Sequence, residues 1–466
     1  MTSVHDTVRD LLATWLPSQR WFPGKGREFT LAVERLTQLS PLPQVTIWVA
    51  RAAYADGDSE TYQVPLVSRS EPVESLEHVL IGTVDTDAGR RWVYDALHDK
   101  DGTGAWLEGL VTPPETGDVR FTRFVDAERI PVGEPSLVMS GEQSNTSLVY
   151  GDAAIMKVFR RLQPGVNPDI EIGGELSRIG AKNVATLLGA VEADVDGVPT
   201  SLAMVQEFLI SATDGWVLAT ASVRDLMAEA DLHADEAGGD FAGEAERLGA
   251  AVAQTHADLA AAFGTREATA DELAARSAAM QERLATALGI VPELADYADG
   301  LREVFAAAGD LGGGVTLQRI HGDLHLGQAL RTVYRWVLID FEGEPMAAID
   351  ARREYDSPLR DVAGMLRSFE YAGHHRVTGF DATTGNDPQL AYRANEWSAR
   401  NRDAFCAGYA EAAGADPRRH AVLLRALEAE KAVYEAVYES RNRPAWLPIP
   451  LASLRRLTTA HPTEGL

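Results

Sequence analysis

Arg319-Ile-His-Gly-Asp-Leu-His-Leu-Gly-Gln328 stands a short apolar run ahead of Asp340-Phe-Glu-Gly343. A loop aspartate, an amide five residues later and a second aspartate closing the apolar run Trp336-Val-Leu-Ile is the layout of a phosphoryl-transfer site. In that layout Asp323 accepts the proton of the attacking hydroxyl. Gln328 and Asp340 supply the hard oxygen ligands that Mg²⁺ prefers, beside nucleotide phosphates. Alone, the loop is equally compatible with scattered surface acids. The Asp340-Phe341-Glu342-Gly343 continuation tips that balance toward chemistry.

Such a site also needs a strand lysine against the phosphates of ATP and a helix carboxylate to hold it. Lys157 lies in Ala154-Ile-Met-Lys-Val-Phe159, where an unpaired ammonium is costly. A lysine snorkelling from an edge strand is the plainer alternative. The preceding polar segment Ser140-Gly-Glu-Gln-Ser-Asn-Thr-Ser147 places Ser144, Asn145 and Thr146 where backbone N–H groups meet phosphate. Pro168-Asp-Ile-Glu171 opens a helix, so Glu171 is the expected partner of Lys157, with Glu175 one turn on as the alternative. Gly173-Gly174 weakens that helix. Gln206-Glu207-Phe208-Leu209 suits a hinge between lobes that also borders the nucleotide. The order of these pieces resembles that of the protein-kinase-like phosphotransferases. His-Gly-Asp in place of His-Arg-Asp, with no Asp-Phe-Gly, points to the aminoglycoside and choline kinase branch, which acts on small molecules.

The chain around these motifs has 466 residues, more than one hydrophobic core serves. Its 43 basic and 69 acidic residues leave a net charge of −26, which argues against nucleic acid and anionic membrane surfaces as partners. No run approaches a membrane span, and Met1-Thr-Ser-Val-His-Asp6 lacks the marks of a signal peptide, so a cytoplasmic protein is expected. The single cysteine, Cys406, makes no internal disulfide. Thr7–Trp15 reads as a short helix. Gln44–Ala50 and Glu60–Val67 read as strands around Asp56-Gly57. Ser147–Tyr150 and Ala153–Phe159 read as a hairpin, with Gly151 at the first position of a type II′ turn. Beyond about residue 210, alanine becomes dense and apolar residues recur at helical spacing, as in Glu244–Ala260 and Val422–Arg441. Trp336–Phe341 is a strand-like island among these helices. The expected division is 1–95, 96–209 and 210–466: a cap, a small lobe ending in the hinge, and a helical lobe.

Gly141-Glu-Gln-Ser-Asn-Thr-Ser-Leu-Val-Tyr150, Asn167-Pro-Asp-Ile-Glu171 and His321–Gln328 resemble the actinobacterial maltokinases. So do Asp340-Phe-Glu-Gly-Glu-Pro345, Asp356–Phe369, Tyr438-Glu-Ser-Arg-Asn-Arg-Pro444 and Gln19-Arg-Trp-Phe-Pro-Gly-Lys25, so the resemblance runs through nearly the whole chain. It implies an α+β, bilobal, aminoglycoside phosphotransferase-like fold with an N-terminal cystatin-like cap. It implies ATP-dependent conversion of maltose to maltose 1-phosphate, in α-glucan synthesis. Gln328, where the wider superfamily has Asn, is shared with maltokinases. Maltose is implied at Lys431, Tyr434 and Tyr438, which fall on one helix face, although packing of the tyrosines on the core explains that spacing as well. Glu435 falls on a neighbouring stripe, as an ordinary surface bridge to Lys431. His325 and Glu342 are further expected contacts of the sugar.

Other residues read more plainly. His321 holds the loop, and Asp361 resembles the superfamily aspartate that braces it. His374-His375 lacks the ligand set of a metal site, and Gly24-Lys25-Gly26 is too short for a Walker loop. Some maltokinase-like proteins act on amino sugars, so glucosamine is the alternative acceptor. A catalytically inactive partner of trehalose synthase is the reading from another class, and the intact Lys157, Asp323, Gln328 and Asp340 speak against it. The chain is expected as a monomer or homodimer.

Overall fold

The structure, a computed structural model, describes residues 4–114, 119–139, 145–228, 232–236, 238–344, 347–379 and 388–459. Ser144, with most of the polar loop before it, lies outside the described residues. The chain forms two compact units, Met1–Arg178 with Ala185–Ile210, and Ile179–Val184 with Ser211–Leu466. The first unit holds both the expected cap and the expected small lobe.

In the first unit, α1 (Val4–Trp15) packs on an antiparallel sheet of β1 (Phe29–Pro41), β2 (Gln44–Tyr54), β3 (Ser59–Arg69), β4 (Leu80–Thr86) and β5 (Gly89–Asp95). The strands run in the order β1-β2-β3-β5-β4. This sheet folded onto a helix is the arrangement expected of the cap. Alternation along β2 divides its side chains between two cores. Trp48, Ala50 and Ala52 meet Val8 and Leu12 of α1. Ile47 and Val49 face the other way, toward Trp106 of α2 (Lys100–Val111) and toward Leu148 and Met156 of a second sheet.

That second sheet has the order β6-β11-β12-β9-β8-β7. Its strands are β6 (Val119–Arg123), β7 (Ser136–Val138), β8 (Asn145–Tyr150), β9 (Ala154–Phe159), β11 (Leu187–Val195) and β12 (Val198–Glu207). β10 (Arg161–Leu162) leaves β9 and pairs with β3, so one run of chain joins both sheets. Hydrogen bonds between buried side chains and backbone cross the seam. Arg160 donates to Asp95 at 2.6 Å, and Gln63 donates to the carbonyls of Phe159 and Leu202. The far face of the second sheet carries α3 (Pro168–Ile179), whose Ile170 packs with Phe159, Leu187 and Met204. Gly173-Gly174 does not interrupt α3. A Cβ on Gly174 would stand 2.7 Å from the Phe124 ring, so the missing side chain is what lets the helix lie that close.

The β8–β9 connection is one residue longer than the expected two-residue turn, because Tyr150 pairs with Ala154. Ala153 is used in the turn itself: its N–H donates to Tyr150 and its carbonyl accepts from Phe208.

The second unit is mostly helical: α4 (Gly215–Ala228), α5 (Ala242–Phe263), α6 (Ala270–Leu288), α7 (Ala298–Gly309), α8 (Ile349–Arg352), α9 (Leu359–Gly379), α10 (Pro388–Ala413), α11 (Ala421–Asn442) and α12 (Pro448–Thr459). β13 (Thr213–Asp214), β16 (Ala329–Arg331) and β17 (Trp336–Leu338) form one small sheet. β14 (Thr265–Glu267) and β15 (Thr316–Gln318) form another. The island expected over Trp336–Phe341 stops at Leu338, because the backbone turns left-handed at Asp340, with φ 68°. Among the described residues no helix is long and apolar enough to cross a membrane.

Candidate active site

β15 ends at Gln318, and the chain from there to β16 carries His321, Asp323, His325 and Gln328. Its shape is imposed by Asp361 in the first turn of α9. The Asp361 carboxylate accepts from the backbone N–H of His321 at 2.8 Å and of Gly322 at 2.9 Å, and meets His256 Nε2 at 3.0 Å. Burial pushes this carboxyl up, but the His256 hydrogen bond and charge, with the loop N–H groups, outweigh burial and hold it below the usual range. His321 packs its ring on Phe341 and bonds Ile339 O through Nε2 at 2.9 Å, so it props the loop, as expected. His325 caps the single turn Leu326–Gln328, its Nδ1 accepting from Gly327 N at 3.1 Å. Burial pushes the His325 ring pKa down. The turn aims Gln328 at Asp340, and Gln328 Nε2 donates to Asp340 Oδ2 at 3.0 Å. The remaining oxygens of this pair are the hard donors that a Mg²⁺ ion takes.

Asp323 lies at the wall of a cavity of about 390 Å³ within the second unit. Glu344, Arg360, Lys431 and Tyr434 share the wall, and Met280 and Phe305 give it an apolar side. Lys431 Nζ donates to Asp323 Oδ1 at 2.9 Å. Burial pushes the Lys431 ammonium down, but Asp323 and Glu435 overcome this and raise it. Tyr434 is 40% exposed, and so it is a wall residue and not part of the packed core. Tyr438, His325 and Glu342 were expected beside the sugar and are not among the residues lining this cavity. Glu435 is not the surface partner of Lys431 that its spacing implies. Its side chain is 13% exposed, and it accepts from Arg367 Nε and Nη2 at 2.9 and 2.6 Å. Arg367 comes from α9, 68 residues away, and helix spacing along α11 carries no sign of it.

Glu344 and Arg360 are among the lining residues to which the sequence reading gave no role. Glu344 follows the Asp-Phe-Glu-Gly motif by one residue, and its carboxylate makes no hydrogen bond or ion pair among the described residues. Arg360 precedes Asp361 and pairs with Asp356 and Glu430. Position beside a motif was the one available signal for each.

In the first unit, Lys157 is half-buried on β9, opposite Ser147 and Met204. It projects to the face of the sheet that α3 covers, the same face as Phe159. Glu171 sits in the first turn of α3. Glu175, one turn on, accepts from Arg178 at 2.9 Å. Thr146 pairs with Val158 and so projects to the opposite face, where its hydroxyl accepts from buried Arg160 at 2.8 Å. Gln206 and Glu207 end β12, Phe208 bonds Ala153, and Leu209 lies just before the passage into the second unit after Ile210.

Residues 15–99 match the model of the Maltokinase N-terminal cap domain. A glucosamine kinase of Streptacidiphilus jiangxiensis is 31% identical over 401 residues, covering 81% of this chain and 88% of that protein. A glucosamine kinase of Mycolicibacterium smegmatis is 31% identical over 402 residues, covering 80% of this chain and 97% of its own. A solved structure of glucosamine kinase in complex with glucosamine, ADP and inorganic phosphate superposes with a TM-score of 0.70 at 26% identity, over 96% of this chain and 98% of that one. Fold and loop together define a phosphotransferase with an alcohol group as acceptor. Within that class the chain belongs to the maltokinase-like sugar kinases, the family that includes these glucosamine kinases.

Proposed function

We propose that this protein transfers the γ-phosphoryl group of ATP to a hydroxyl of a small sugar, with Asp323 as the general base. The observation that carries this reading is Asp323 on the cavity wall, with Oδ1 held by Lys431 and its loop fixed by Asp361. A carboxylate so fixed can orient an acceptor hydroxyl and take its proton as the phosphoryl group transfers. Gln328 and Asp340 would hold Mg²⁺, which neutralises phosphate charge when bound. Lys157, steadied by Glu171, would hold the nucleotide phosphates, with the backbone of Asn145 and Thr146 alongside. The Thr146 hydroxyl accepts from Arg160 on the opposite face of the sheet. Gln206–Leu209 would border the nucleotide base.

The acceptor has two readings, each with its own support. Maltose, phosphorylated at its anomeric hydroxyl for α-glucan synthesis, is supported by the match to the maltokinase cap. Glucosamine, giving glucosamine 6-phosphate, is supported by relatives of that name whose likeness spans about 400 residues. Glu344 adds a physical argument for the amino sugar, since a carboxylate on the cavity wall suits an ammonium group. The longer likeness makes glucosamine the acceptor to test first. The test is a coupled ADP-release assay with Mg-ATP against glucosamine, maltose, glucose, trehalose, choline and an aminoglycoside. Release with glucosamine or maltose is expected. Turnover with choline or the aminoglycoside alone would overturn the reading.

A further inference from the structure

The first unit holds a cavity of about 510 Å³, where Gln19, Arg20 and Trp21 of the cap face the start of α2 and strands β7 and β8. The Thr146 side chain that lines it projects from the face of the second sheet opposite Lys157, so this is not the site proposed for the nucleotide phosphates. Three of its four lining Asp, Glu, Lys and Arg residues are cations, Arg20, Lys100 and Arg160, in a chain of net charge −26. The fourth, Asp95, has both oxygens engaged, one by Arg160 and one by the backbone N–H of Leu97. Arg160 is 1% exposed. Its Nε donates to Thr146, its Nη2 donates to Asp95, and its guanidinium lies 4.9 Å from the centre of the Trp21 ring. Its Nη1 has no acceptor among the described residues. A buried guanidinium N–H left so is costly, and an occupant that brings an acceptor accounts for it. Lys100 is the first residue of α2, where the helix end favours anions and disfavours a cation. The acids on either side of it, Asp99 and Asp101, are both held by Arg69. The Lys100 ammonium makes no hydrogen bond or ion pair among the described residues. Beside these cations Leu137 and Met139 are 69% and 45% exposed, an apolar lip to the cavity.

We propose that this cavity binds a small organic phosphate, its phosphoryl oxygens taken by Arg160 and Lys100 and its apolar or aromatic body laid against Leu137 and Met139. A phosphate brings close to two negative charges and three acceptor oxygens, which suits cations standing on separate elements. A carboxylate is matched by a single guanidinium fork and leaves the second cation unanswered. The volume falls within the range of small-molecule sites, roughly 300–1,000 Å³. Lys100 on α2 and Arg160 between β9 and β10 come together only in the folded first unit, so an occupant held by both stabilises the fold.

The experiment titrates the full-length protein calorimetrically with phenyl phosphate, inorganic phosphate and benzoate in phosphate-free buffer, with a thermal melt of each mixture. Phenyl phosphate is expected to saturate one site and to raise the melting temperature. It should bind about tenfold or more tighter than inorganic phosphate, which lacks the body, and than benzoate, which lacks the phosphoryl group. Lys100→Glu should weaken phenyl phosphate about tenfold or more, and Lys100→Gln in the same sense by a smaller factor. Lys100 is exposed, and an acid in its place suits the helix end, so Lys100→Glu without ligand should melt at or above wild type. Lys157→Met should bind phenyl phosphate as wild type does, which tells this cavity from the proposed nucleotide site. No saturation by about 10 mM phenyl phosphate would overturn the proposal. So would inorganic phosphate or benzoate binding as tightly, or an affinity indifferent to both Lys100 variants. Binding lost in Lys157→Met would place the ligand at the nucleotide site and overturn it as well.

Discussion

Asp323, Gln328 and Asp340 stand out in sequence because they lie close along the chain: one loop and its closing turn carry the first two, and the short β16–β17 hairpin returns Asp340 to Gln328. Glu435, Glu344 and Thr146 do not. What Glu435 does depends on Arg367 of another helix, and which face Thr146 takes depends on strand register. Replacing Asp323 by Asn should cut kcat by about a thousandfold or more while leaving the melting temperature near wild type. Single-turnover kinetics would check this. Asp361 gives the complementary case. Its carboxylate is buried and serves two loop N–H groups and His256, so Asp361→Asn should cost about 3 kcal/mol of stability as well as activity. Its pKa is depressed in the fold. Its stabilisation is therefore fully present above the unfolded carboxyl value of about 3.9, and it is lost as pH falls through the lower folded value. Urea unfolding at neutral and acid pH should show the gap between wild type and Asp361→Asn closing toward acid.

The long helices were readable as elements, since Glu244–Ala260 and Val422–Arg441 carry sustained helical periodicity and fall inside α5 and α11. What periodicity cannot show is how near two helices come. α5 and α10 approach backbone to backbone at Gly249 and Gly408. A Cβ on Gly408 would stand 1.9 Å from the Glu246 carbonyl oxygen, and one on Gly249 2.0 Å from that of Phe405. Neither carbonyl can move without breaking its own helix. Gly408→Ala should therefore destabilise the second unit by about 3 kcal/mol, against near neutrality for Gly104→Ala, where nothing lies within 4 Å. Chemical denaturation of the two variants makes the comparison. Gly174, which weakens α3 by propensity, meets only the ring of Phe124, a side chain that can shift, so its replacement by Ala should cost less than Gly408→Ala.

Across the molecule, composition implied more than one core, and the chain does divide into two compact units. It said nothing of how the cap is joined. In the first unit the cap sheet contributes Ile47 and Val49 to the core of the second sheet, and Asp95 pairs buried Arg160. The cap is therefore part of that core and not an appendage. Deleting residues 1–99 should expose apolar surface and orphan Arg160, yielding an aggregated product by size-exclusion chromatography. A monodisperse, cooperatively melting truncation would refute this. On the proposed function, the net charge of −26 is compatible with a nucleotide, because a few fixed groups such as Lys157 and backbone N–H groups would suffice locally. The central claim is that Asp323 makes this chain a sugar kinase. Its most direct test is ADP release with Mg-ATP and glucosamine or maltose, wild type beside Asp323→Asn, with the phosphorylated product identified by mass spectrometry. The account predicts one phosphosugar formed per ADP in the wild type and almost none in the variant. ADP release that is indifferent to every sugar, or that survives in Asp323→Asn, would contradict it.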